Sequence, residues 1–103
     1  MKITFNGSPG PTLGVELELQ IIDPETKNLV SGGPEMIERS RDEQHVKAEL
    51  IQSTIEINTD VCQNVAEVRQ ELSERITRLL GVCDELGYEI ACAGTHPFAA
   101  WSQ

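Results

Sequence analysis

From residue 13 to residue 21 the chain alternates without a break. Leu13, Val15, Leu17, Leu19 and Ile21 fall on one side, and Gly14, Glu16, Glu18 and Gln20 on the other. Successive side chains of a strand point to opposite faces, so this period predicts a half-buried strand over residues 13–22. Asp23-Pro24-Glu25-Thr26 ends it as a turn. Leu29 and Val30 predict a short return strand before Ser31-Gly32-Gly33-Pro34. Pro34 then opens a short surface helix in the charged stretch 35–45, whose main apolar residues are Met36 and Ile37. Residues 46–58 read as a second long strand. Ile51, Ile55 and Ile57 share one face of it, and Gln52, Thr54, Glu56 and Asn58 the other.

The period changes at residue 65. Val65, Val68, Leu72, Ile76, Leu79, Cys83 and Leu86 recur three and four apart, which is one buried stripe of a helix over residues 65–86. Asn64 caps its start, Glu67 completes a capping box, and Gly87 suits a left-handed residue just past its end. Arg69, Glu71, Glu74, Arg75 and Arg78 are expected on its solvated side, with Glu71–Arg75 and Glu74–Arg78 pairs. Tyr88 to Ala93 predicts a third strand, closed by the loop Gly94-Thr95-His96-Pro97, and residues 6–12 are a breaker-rich loop. No repeat or linker interrupts the chain, so residues 1–103 read as a single domain. The order of elements predicts an α+β fold, an antiparallel or mixed sheet with a long helix packed on one face.

Charge narrows the function. Eight basic and 17 acidic residues give a net charge of −9. That excludes a duplex nucleic-acid binder, which needs a basic surface, and a polybasic membrane anchor. No apolar run approaches the ~20 residues of a membrane helix, and the amino terminus lacks a hydrophobic signal core. Cys62, Cys83 and Cys92 fit neither a disulfide framework nor a zinc site. They are expected as reduced, buried residues of a cytoplasmic protein.

The chemistry lies on the polar side of the strands. Glu16 and Glu18 sit about 6.5–7 Å apart along one strand face. If the strand carrying Glu56 is a neighbour, Glu16, Glu18 and Glu56 form an acidic patch able to hold magnesium, a hard cation that wants oxygen ligands. The same alternation is also the usual make-up of a solvent-facing sheet side. Glu49 is a further candidate. Its odd separation from Glu56 puts it on the opposite face of a regular strand, so Lys47 and Glu49 read as surface residues unless a bulge intervenes. His96, in a loop at a strand end, suits either a binding residue or a cap on a backbone group. His45, in a charged surface run, has no expected role. The Gly-Ser-Pro-Gly-Pro run lacks the spacing and the lysine of a phosphate-binding P-loop, and Cys62 fits no nucleophile motif.

Three motifs carry a family likeness. Thr12-Leu13-Gly14-Val15-Glu16-Leu17-Glu18-Leu19-Gln20 with Asp23-Pro24 resembles the opening of the type 2 glutamate–cysteine ligases, also called carboxylate–amine ligases. Ser53-Thr54-Ile55-Glu56-Ile57-Asn58-Thr59-Asp60-Val61-Cys62 is similar to that family's second motif. Ala93-Gly94-Thr95-His96-Pro97-Phe98, with Trp101 behind it, is similar to the third. Order and spacing agree from about residue 5 to residue 103. Leu17 stands where many members carry another glutamate, on the apolar face, away from the acidic patch.

The resemblance implies a glutamine-synthetase-like fold whose antiparallel sheet carries the active site on one face. It implies ligation of the γ-carboxylate of glutamate to the amine of cysteine or another amine. The reaction uses ATP and Mg2+ and passes through γ-glutamyl phosphate. By the same likeness Glu16, Glu18 and Glu56 are metal ligands, while Glu49, Thr95 and His96 lie near the substrates. Family members run several times this length and carry later basic residues that clamp phosphates. The chain is therefore expected to be an amino-terminal fragment of a ligase catalytic domain, inactive alone. A fragment of a sheet exposes apolar area and strand edges, so a homo-oligomer is expected. The competing expectation is a non-enzymatic α+β module for ligand binding or dimerisation.

Overall fold

The computed structural model describes residue 7 and residues 10–100. Trp101 and most of the amino-terminal loop fall outside them. The elements run β1 (Glu16–Ile22), α1 (Gly33–Ser40), β2 (Val46–Ala48), β3 (Thr54–Asn58), α2 (Val65–Leu86) and β4 (Glu89–Ala91). The four strands form one sheet in the order β2-β3-β1-β4, and every pairing is antiparallel. The fold is α+β.

Alternation along β1 and β3 decides which sheet face is covered. Leu19, Ile21, Ile55 and Ile57 point to one side and are buried there with Met36 of α1 and Leu79 and Cys83 of α2. Both helices therefore lie on the apolar face, and the glutamates are left on the other. The α2 boundaries agree with the periodicity, and its caps form. Asn64 Oδ1 accepts from the Glu67 N–H at 2.9 Å, and Glu67 Oε2 accepts from the Gln63 N–H at 2.6 Å. Gly87 ends the helix at φ 75°, in the left-handed region. Asn64→Ala should cost about 1 kcal/mol, measurable by urea denaturation.

Val65 departs from the expected stripe and is 73% exposed. A 22-residue helix is roughly 33 Å long, whereas the seven-residue β1 spans roughly 23 Å. Burial along α2 begins at Val68, not at its first residue. Cys92 is likewise exposed, while Cys62 and Cys83 are buried, and all three are free thiols. Leu29 makes only an isolated bridge to Ile22 rather than a return strand.

The main correction concerns residues 46–58. They form a hairpin, β2 and β3, instead of one strand. Val46 pairs with Ile57, Lys47 with Glu56 and Ala48 with Ile55. A single strand would have placed Val46 and Ile57 on opposite faces. Doubling back lets both reach the core, where they are 5% and 0% exposed. The reversal is anchored on α1. The Gly33 N–H donates to the Gln52 carbonyl at 2.8 Å, and a Cβ on Gly33 would sit 2.7 Å from that oxygen. Only glycine allows this approach without displacement.

A charged network ties the helix to the loops. Glu71 and Arg75 pair at 2.8 Å, as their spacing predicts, yet neither lies on an open face: their side chains are 25% and 10% exposed. Arg78 approaches Asp42 at 3.8 Å instead of pairing with Glu74. His45 sits between Asp42 and Asp60, at 3.0 and 2.8 Å. The hydrogen bond to Asp60 raises the His45 pKa above its usual 6.5, with Asp42 adding to it and burial and Arg75 opposing. Its stabilising contribution is full below the ordinary value and fades as pH climbs through the raised one. His45→Gln should therefore destabilise by about 1 kcal/mol in mildly acidic buffer and by less in alkaline buffer, seen as a pH-dependent loss of Tm. Glu71 is held down to about 2, first by the Cys62 thiol, which donates to it at 2.9 Å, then by the Asp60 N–H and Arg75.

Candidate functional site

The face opposite the helices carries the acidic residues, and the register places them. Glu18 stands directly across from Glu56, Glu16 across from Asn58, and Gln20 across from Thr54. Glu49 continues β2 by one residue at the hairpin's turn, on the same face as Lys47 and Glu56. One carboxylate oxygen from each of Glu18, Glu49 and Glu56 lies within 4.8 Å of the others. Glu16 is a rung further along and stands outside this cluster. It opens instead onto a broad groove with Gly14, Lys47, Asn58 and Thr59.

Like charges directly opposite one another destabilise a sheet. The strain shows at Glu49. Partial desolvation, the hydrogen bond to Glu56 and the charges of Glu18 and Glu56 raise its pKa above the usual 4.5. A raised acid pKa favours folding below the ordinary value, and that contribution is lost as pH rises through the raised one. Glu49→Gln should therefore increase stability near neutral pH, with the gain vanishing in acid; urea titrations at the two pH values measure it. Three carboxylates and no sulfur or imidazole make an all-oxygen donor set, which suits Mg2+, Ca2+ or Mn2+ over zinc or copper.

Thr95 and His96 sit at the far end of the same face. With Gln20, Ser53, Thr54 and Ile51 they line a cavity of about 190 Å³ between the β2–β3 turn and the loop after β4. The His96 ring is occupied by backbone. Nε2 lies 2.7 Å from the Lys27 carbonyl, which can only accept, and Nδ1 lies 3.2 and 3.1 Å from the N–H groups of Phe98 and Ala99, which can only donate. His96 is thus a neutral imidazole protonated on Nε2, holding the 96–99 loop to the β1 turn while one side of its ring borders the cavity. Thr95 is exposed beside it.

Alternation brings Glu18 and Glu56 together as expected; counting along one strand puts Glu49 on the opposite face, which the hairpin corrects, while the family likeness had it near the substrates, and Gln20 and Ser53 were not among the expected site residues. The parity of Val46 was the available signal. An apolar residue out of step with Ile55 and Ile57 requires a reversal between them.

The sequence model of glutamate-cysteine ligase family 2 matches residues 12–103. A relative from Gloeobacter violaceus, provisionally named glutamate–cysteine ligase 2, is 50% identical over 107 residues; the alignment covers 100% of this chain and 29% of the relative. A Bdellovibrio bacteriovorus protein with the same provisional name is 47% identical over 96% of this chain and 26% of its own length. One from Mycobacterium tuberculosis is 39% identical over 98% of this chain and 27% of its own. The chain spans just over a quarter of the length of these relatives. Among the described residues, no helix is long and apolar enough to cross a membrane.

Proposed function

This chain belongs to glutamate-cysteine ligase family 2, and from that premise we propose that it forms the acidic sheet face of an ATP- and Mg2+-dependent carboxylate–amine ligase. That enzyme joins the γ-carboxylate of glutamate to cysteine or another amine through an acyl phosphate, on a glutamine-synthetase-like sheet. The observation that carries the reading is the convergence within 4.8 Å of Glu18 and Glu56, on paired strands, and Glu49, in the turn after β2. These three would hold the cation, with Glu16 one rung away as a further carboxylate for the same or a second ion. A bound Mg2+ would neutralise the crowded negative charge of nucleotide and substrate carboxylate. The chain's own contribution is positional. The β1–β3 ladder holds Glu18 and Glu56 side by side, and the turn that follows β2 brings Glu49 up to them. Thr95 lies beside the cavity where substrate would rest, and His96 shapes its rim.

Lys47, across from Glu56, is a basic residue on this face, and one lysine does not neutralise the phosphates of a nucleotide. We therefore propose that the 103 residues alone are inactive and that the relatives' remaining length completes the site. Incubating the chain with ATP, Mg2+, glutamate and cysteine tests this. No γ-glutamylcysteine is expected, and its ATP-dependent appearance would contradict the proposal. Leu50, Ile51 and Phe98 are 99%, 53% and 60% exposed, and β2 and β4 are edge strands among the described residues. Self-association of the chain is expected, and a clean monomer in sedimentation would count against it.

A further inference from the structure

We infer that the cavity between the β2–β3 turn and the 94–100 loop is the seat of the attacking amine, taken up as a neutral primary amine donating to Ser53 Oγ and Gln20 Oε1. The inference rests on the ligase reading above and adds to it where the second substrate binds and in which protonation state. Ser53 is 2% exposed, and its Oγ has no hydrogen-bond partner among the described residues; the same holds for Gln20 Oε1. Buried polar atoms without partners are uncommon, because each forfeits its hydration. Here the two residues that carry them, Gln20 and Ser53, line one cavity. Both can accept a hydrogen bond, so the ligand that satisfies them carries N–H or O–H.

Charge then selects among donors. No Asp, Glu, Lys or Arg lines the cavity, and the nitrogens of its one histidine are already taken by backbone. An ammonium would find no counter-ion among the side chains that line the cavity, whereas a neutral amine needs only hydrogen bonds of the kind Ser53 and Gln20 offer. A neutral amine is also the reactive form. Its nitrogen lone pair attacks the acyl carbon of the acyl phosphate and the C–N bond forms. The bond from that carbon to the phosphate oxygen breaks, its electron pair leaves with phosphate, and the phosphate takes up the proton lost by nitrogen. Position agrees as well. Gln20 and Thr54 occupy the rung next to Glu18 and Glu56, about 6.5–7 Å along the sheet. The amine would wait one residue pair from the carboxylates proposed to organise the acyl phosphate.

Glycinamide is the probe, titrated into the isotopically labelled chain about one unit above its α-amino pKa of roughly 7.7–8.0, with acetamide as the amine-free control. Amide shifts are expected at Gln20, Ser53, Thr54 and Thr95 with glycinamide alone. Ser53→Ala should weaken binding about fivefold without loss of Tm, since the hydroxyl has no partner to lose. Equal shifts with acetamide, shifts centred on Glu18, Glu49 and Glu56, no shifts at all, or unaltered binding by Ser53→Ala would each overturn the inference. A parallel Mg2+ titration separates the two readings. A chain that binds Mg2+ but not glycinamide retains the metal reading and loses this one. Glycinamide binding without Mg2+ binding retains the cavity and removes the metal.

Discussion

Glu18→Gln combined with Glu56→Gln, introduced into a polypeptide of the relatives' full length, is expected to reduce Mg2+-dependent ADP release by about 10²–10³-fold. The two residues form one cross-strand pair and supply two of the three converging oxygens. Amides of the same shape keep the strand packing and remove the charge that would hold a divalent cation. The fold should not suffer, because the substitution removes like charges facing each other across a ladder. In the 103-residue chain the double variant should unfold at equal or higher urea concentration than the parent. Loss of ADP release with an intact transition assigns the pair to chemistry. Unchanged release would return these glutamates to an ordinary solvated sheet side and favour the non-enzymatic module. Glu16→Gln, outside the cluster, is expected to have a smaller effect than either member of the pair.

The largest structural effect belongs to Ile57. It is fully buried, pairs with Leu17 on one side and Val46 on the other, and is followed in the chain by Asn58, whose N–H donates to the His45 carbonyl at 2.9 Å. Truncating it to alanine removes three carbons from the contact between the sheet and the helices and leaves a cavity that the surrounding strands cannot close. The expected cost is about 3 kcal/mol. A domain of this size has roughly 5–15 kcal/mol in total, so the loss is a large share. Urea denaturation should show a markedly lower midpoint with an unaltered slope. Because Glu56 and Asn58 flank this residue on the opposite face, Ile57→Ala should weaken cation binding only as far as it unfolds the chain. A cation affinity that falls further than the unfolded fraction would show that the acidic face depends on core packing in the native state.

The long helix and the first strand were legible from period alone, because each has a single environment along its length. Leu79 and Cys83 meet the sheet as the stripe requires, and Leu19 and Ile21 meet the helices. Val65 falls outside the buried stripe because the period of a stripe does not say at which turn burial begins. The hairpin at 46–58 was hidden for a different reason. Glu49-Leu50-Ile51-Gln52-Ser53 contains no glycine, proline, asparagine or aspartate to mark a reversal. Its turn is stabilised from outside, by the Gly33 N–H on the Gln52 carbonyl and the Ile21 N–H on the Ser53 carbonyl. Such long-range contacts have no local signature. The hairpin also sets the face of Glu49, which counting residues along a single strand reverses. His45 shows the same limit. Its two aspartates, Asp42 and Asp60, come together only once the loops before β2 and after β3 are folded.

Mn2+, which accepts the same oxygen ligands as Mg2+ and broadens nearby nuclear resonances, offers the most direct trial of the acidic cluster. Titrated at substoichiometric amounts into the labelled chain, it should first erase the amide signals of Glu18, Glu49 and Glu56 and their strand neighbours, and Glu18→Gln with Glu56→Gln should restore them. Broadening spread evenly over the acidic residues of α2 and the loops, or unchanged in the double variant, would mean that these three side chains do not act together on a cation.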